Sequence, residues 1–136
     1  MGGAATYRVI SYPEALLTTA QQLFDSGAFS IAVVVAHMAC EVAVERALTR
    51  AYAAKGVEYL EEAIDELLSG YNLANPKNRK LFTALTGRSI AAEPFWQKFT
   101  ESAGRRNKAV HGGLIATQTQ AEDSLKATSS MVAYLK

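Results

Sequence analysis

Cysteine is nearly missing from this chain. Cys40 stands alone, so no intrachain disulfide can form, and a reducing cytoplasm is the expected compartment. It lies in an apolar run, where a small buried hydrophobe is the simplest role. Histidine is almost as scarce, limited to His37 and His111. Charge of either sign is not in excess: 14 Lys and Arg against 13 Asp and Glu give a formal net charge of +1. That excludes attraction to nucleic acid over the whole surface and leaves only a local basic patch. Long hydrophobic runs are missing too. Phe29 to Cys40 is too short to span a bilayer, and His37 and Glu41 interrupt its continuation, so no membrane partner is expected. No apolar stretch of secretory type follows Arg8. The start Met1-Gly2-Gly3-Ala4-Ala5-Thr6 matches a loose myristoylation pattern but reads better as a flexible end. No glycine-rich loop follows a strand, which removes dinucleotide and P-loop sites. No Glu-x-x-His element of the di-iron bundles occurs. No metal and no cofactor are expected.

What remains is a chain of 136 residues, 49% hydrophobic and 20% charged. That suits one globular domain with a real core. Residues 1–11 read as a flexible arm and 12–136 as a single helical domain. Pro13 sits where a first helical turn tolerates proline, after Ser11 or Tyr12. Leu16, Leu17, Ala20, Leu23 and Phe24 then follow at helical spacing, and Asp25-Ser26-Gly27 ends that helix. Phe29 to about Lys55 is the longest segment. Ile31, Val33, Val34 and Val35 alone would suit a strand, but the alanines and the later Val42, Val44, Leu48 pattern predict a largely buried helix. Gly56 stops it. Leu60, Ala63, Ile64, Leu67, Leu68 and Tyr71 predict an amphipathic helix with acids on its solvated face, ended by Gly70 and Asn72. Asn75-Pro76 is a cap and first-turn pair for a short helix through Lys80, Leu81 and Leu85 to Gly87.

Glu93-Pro94-Phe95-Trp96 opens another helix to about Ala103, anchored by Trp96 and Phe99. Gly104 is expected to loosen the chain after it. A last helix starts near Thr119 or Gln120 and carries Ala121, Leu125, Thr128, Met131, Val132 and Leu135. The fold class is all-α: an antiparallel bundle with three or four core helices plus short inserted ones.

Chemical content is concentrated in Arg105 to His111, followed by Gly112-Gly113. A fixed cation and a titratable base close together suit chemistry on a phosphate diester. On a straight helix, Arg106 and His111 are separated by roughly 500° of rotation, leaving them about 140° apart. Convergence therefore needs a bend, a helix end near His111, or a second copy of the chain. The plain structural alternative is a helix C-terminus, where basic residues and glycine are favoured. His37, Glu41 and Glu45 repeat every four residues on the long helix. They read as a polar stripe exposed at an edge or paired with a basic residue, as part of a metal site, or as carboxylates that orient Arg106. The serines Ser124, Ser129 and Ser130 lie on an ordinary helix.

Arg106, four residues and His111, with Asn107 directly after the arginine, resembles the signature of HEPN domains: an arginine, four to six residues, then a histidine. The Gly112-Gly113 pair after the histidine is common among them. HEPN domains are small antiparallel helical bundles with the motif at or near the start of a late helix. Leu16 to Ala47 resembles their first helix pair, and Asn78 to Trp96 resembles a frequent variant of the segment before the motif. The resemblance implies a homodimer in which two motifs face each other as a metal-independent endoribonuclease. His111 would serve as general base or acid around the ribose 2′-hydroxyl and the leaving oxygen. Arg106 would bind the scissile phosphate, and Asn107 would position one of the two. Arg105 and Lys108 would contact RNA phosphates, and Glu41 would stand behind the site. Cleavage would leave a 2′,3′-cyclic phosphate. Toxin or defence effectors with a cognate antitoxin or other protein partner fit this class. The alternative it offers is a non-catalytic dimerisation or binding module for RNA, a nucleotide or a protein.

Overall fold

Ser11 starts the first helix. Its backbone is extended, and its Oγ accepts from the Glu14 N–H. Pro13 occupies a first-turn position whose missing N–H costs nothing. Helix α1 (Tyr12–Asp25) turns at Gly27, where φ is +85°, into α2 (Phe29–Ala54). The computed structural model describes residues 10–136. The arm expected over residues 1–11 therefore lies, apart from Ile10 and Ser11, outside the described residues.

Helix α2 is the axle of the bundle. Ala32, Ala36, Ala39, Ala43 and Ala47 form a buried stripe along it. Small side chains there let neighbouring helices approach closely, and alanine's helix propensity outweighs the β-branched run Val33–Val35. Gly56 (φ +70°) ends this segment. After a 3₁₀ turn at Glu58–Leu60 comes α3 (Glu61–Leu67), which corrects the longer helix expected to Tyr71. Leu68 is already extended, at φ −87° and ψ 142°. The reason lies beyond it. Gly70 has φ +90°, and the Asn78 side chain holds the carbonyls of Gly70 and Asn72, fixing a loop where the helix would have run. No α3 residue is buried, and Leu67 is 82% exposed. Seven residues are too few to be stable by propensity alone. A hydrogen bond from Thr49 to Glu61 and the half-buried Ile64 tie α3 to the core.

Helix α4 (Pro76–Thr86) begins as expected, with Asn75 Oδ1 accepting from the Lys77 N–H, and ends at Gly87. A short turn at Ile90–Ala92 leads to α5 (Trp96–His111). Here the expected break at Gly104 is absent: α5 runs straight through it. Glycine in a helix costs about 1 kcal/mol against alanine. Phe99, Ser102 and Ala103, all buried on the inner face, offset that cost. The motif accordingly occupies the end of α5, not the start of a later helix. Helix α6 (Gln118–Tyr134) starts with a reciprocal cap: Thr117 Oγ1 accepts from Gln120 N–H, and Gln120 Oε1 accepts from Thr117 N–H.

Side-chain bonds give the directions. Ser30 Oγ donates to Leu114 O and accepts from Ala116 N–H, while His37 meets Ser102, so α2 and α5 are antiparallel. Cys40 Sγ donates to Thr128 O and Arg50 donates to Leu135 O, so α2 and α6 run parallel. An ion pair from Lys136 to Glu14 closes α6 antiparallel to α1. The bundle is all-α with long core helices and short inserted ones, as the sequence predicts, but the short pair is α3 and α4, and α5, expected to be short, joins α1, α2 and α6 as a long helix. Burial pushes the Cys40 thiol well up, with Glu41 adding to the effect, so it is an inert core group.

Tyr52 is fully buried, and its hydroxyl has no hydrogen-bond partner among the described residues. An orphaned buried donor is destabilising, so Tyr52→Phe is expected to raise unfolding free energy by about 1 kcal/mol. Urea melts of the two proteins check this. A loss of stability would mean that the hydroxyl is satisfied.

Candidate functional site

Arg105, Arg106, Asn107, Lys108 and His111 all sit on the last two turns of α5, but they face different ways. Arg105 turns to α6. Its Nη1 donates to Gln120 O at 3.1 Å and to Ser124 Oγ at 2.6 Å. The guanidinium expected to meet RNA phosphates is therefore committed to an internal clamp. Ser124, expected on an ordinary helix, is fully buried and accepts from Ser102 Oγ at 2.7 Å. Ser102 Oγ in turn lies 2.6 Å from His37 Nε2. His37 is only 3% exposed and packs on the Phe99 ring.

This corrects the exposed polar stripe. His37 shares its inward face with Val33, Cys40 and Val44, at helical spacing, while Glu45 is exposed and Glu41 half-buried. Burial, then the positive charges of Arg106 and Arg105, lower the His37 pKa from 6.5 to about 4. At neutral pH it is an uncharged hydrogen-bonding group. The inward spacing of His37, and of Ser102 three residues after Phe99, was the signal that sequence reasoning passed over.

Arg106 is half-buried on the side of α5 that faces α2, near enough to His37 to depress its pKa. Its Nη1 donates to Asn107 Oδ1 at 3.2 Å, and among the described residues no carboxylate pairs with it. Asn107 and Lys108 are exposed. The Lys108 carbonyl accepts from Gly112 N–H (2.8 Å) and Leu114 N–H (3.1 Å), which closes the helix end with Gly113 at φ +66°. His111 is the last helical residue and is exposed. The turn at Gly112-Gly113 comes after His111 and does not swing it back. Within one chain Arg106 and His111 therefore stay on divergent faces of a straight helix.

Glu41 is not brought to Arg106. From the meeting point of His37 and Ser102, Glu41 lies one turn along α2 towards its C-terminus. Arg106 lies one turn along α5, which runs the other way. No three His, Cys, Asp or Glu side chains of the described residues are grouped so as to hold a metal ion, and no described helix is long and apolar enough to cross a membrane.

No protein-family model, curated protein or solved structure matches the chain.

Proposed function

We propose that the chain is a HEPN-like, metal-independent endoribonuclease that acts as a homodimer. The observation that carries this reading is the end of α5. There Arg106, Asn107 and His111 stand on one regular helix, with Arg106 free of any carboxylate among the described residues and His111 open to solvent. One copy cannot focus both groups on one phosphate, whereas two copies meeting at this end supply two histidines and two arginines. One His111 takes the proton of the ribose 2′-hydroxyl, and the 2′-oxygen attacks phosphorus. The 5′-oxygen leaves with a proton from His111 of the second copy. Arg106 neutralises the charge that builds on the phosphoryl oxygens. The products are a 2′,3′-cyclic phosphate and a 5′-hydroxyl. Lys108 remains available for neighbouring RNA phosphates; Arg105 does not.

Exposed apolar side chains support a second copy at this end. Ile31 (57%), Val110 (46%) and Ile115 (85%) lie where the bonds of Ser30 bring the loop after α5 against the start of α2. A second copy covering these side chains would remove their apolar area from water. The test is RNA cleavage in EDTA across a protein dilution series, with sedimentation in parallel. A rate per chain that follows the dimer fraction supports the reading, and RNA left intact after long incubation overturns it. One observation favours the second reading, a non-catalytic dimerisation or binding module: the divergence of Arg106 and His111 within the chain. Binding of RNA, a nucleotide or a protein partner without turnover is its signature.

A further inference from the structure

From Gly104 to Gly113 no side chain of α5 and its cap is buried. Only the half-buried Arg105, Arg106 and Ala109 pack these last two turns on the bundle. Among the described residues of this stretch, the bonds of Arg105 to Gln120 and Ser124 are the only side-chain hydrogen bonds to another element. Those bonds end a buried chain of polar groups. Arg105 meets Ser124, Ser124 meets Ser102, and Ser102 meets His37, linking α5 to α6 and α2. Ser102 and Ser124 are fully buried. Burying this many polar atoms is unfavourable unless each is matched, and once matched they favour one arrangement over its neighbours. Consecutive helix residues project about 100° apart. With Arg105 pinned on α6, Arg106 must face the seam with α2, and Asn107 must face outward beside it.

We propose that His37 is a positioning residue. Through Ser102, Ser124 and Arg105 it fixes the rotation of the last turns of α5, and so the direction in which Arg106 and Asn107 are presented. The kinetic consequence rests on the ribonuclease reading above; the positioning itself does not.

Three variants test it: His37→Phe, which keeps a ring and loses the nitrogen; His37→Gln, whose terminal amide reaches Ser102 in place of Nε2; and Ser124→Ala, which removes the Arg105 anchor. Native-state amide exchange is read at Asn107 to His111 and, as a reference, at Ala36 and Ala39 in α2. In His37→Phe and Ser124→Ala, exchange at Asn107 to His111 is expected to quicken about tenfold or more relative to the α2 amides. In His37→Gln it stays near wild type. RNA cleavage by the first two variants should lose kcat with little change in KM, and His37→Gln should restore it. Unchanged exchange at Asn107 to His111 in folded His37→Phe overturns the proposal. If that variant does not fold, unchanged exchange in Ser124→Ala does the same. Wild-type protein that cleaves no RNA sinks the ribonuclease reading alone, because exchange still decides whether the relay positions the helix end.

Discussion

His111→Ala is expected to lower RNA cleavage by about 10²–10⁴-fold, the range set by loss of a general acid–base group. Arg106→Ala should cost about 10²–10³-fold through loss of charge stabilisation at the phosphate. His111 is exposed at a helix end, so its removal should shift stability by no more than about 0.5 kcal/mol. Arg106→Lys is the informative companion. It keeps the charge but loses the planar fork, and a partial loss of rate is expected. Arg105→Ala should lose stability as well as rate, because that guanidinium is spent inside the fold on Gln120 and Ser124 and its removal frees the end of α5. Removing it is expected to destabilise the chain by about 1–3 kcal/mol, as for hydrogen bonds to a charged group. Single-turnover cleavage and urea melts on the same preparations separate the two behaviours. Arg105→Ala and Arg106→Ala with the same profile would contradict the division of labour described for the two arginines.

The second large effect is acid sensitivity from His37. Its pKa in the fold is lowered from 6.5 to about 4. As pH falls below 6.5 the unfolded chain takes up a proton on this ring while the folded chain does not, so the unfolded state gains. The stability held above pH 6.5 is therefore lost progressively down to about pH 4, where the folded form also protonates. That interval corresponds to about 3 kcal/mol. Carboxylates titrate in part of the same range, so the comparison is with His37→Gln, which carries no titrating group there. The wild-type curve should fall more steeply than that of the variant between pH 6.5 and 4. Parallel curves would mean that the His37 ring is hydrated and titrates normally.

Much of the bundle is written in local chemistry. Ser11 with Pro13, and Asn75 with Pro76, start helices because an extended residue with a side-chain acceptor and a proline with no N–H suit a first turn. Gly27, Gly56 and Gly87 end segments where φ is positive. The misreadings occur where a local rule met a tertiary contact. Gly104 reads as a break, yet the burial of Phe99, Ser102 and Ala103 carries α5 through it. Leu67 and Leu68 continue an apolar pattern, yet the loop held by Asn78 ends α3 before Tyr71. The candidate site shows the same limit. Helical spacing told correctly that Arg106 and His111 diverge. It could not tell that Arg105 is taken up by Ser124, because that depends on which face of α6 lies opposite. His37, Ser102 and Ser124 come from three helices and share no sequence spacing that joins them.

The most direct measurement is the chemistry of the RNA ends. Single-stranded RNA is incubated with the wild-type chain in excess EDTA, and the fragments are identified by mass spectrometry, with His111→Ala in parallel. The expected result is paired 2′,3′-cyclic phosphate and 5′-hydroxyl ends from the wild type and intact RNA from the variant. Intact RNA in both reactions, or fragments bearing 5′-phosphates, would contradict a site in which His111 and Arg106 drive attack by the 2′-oxygen.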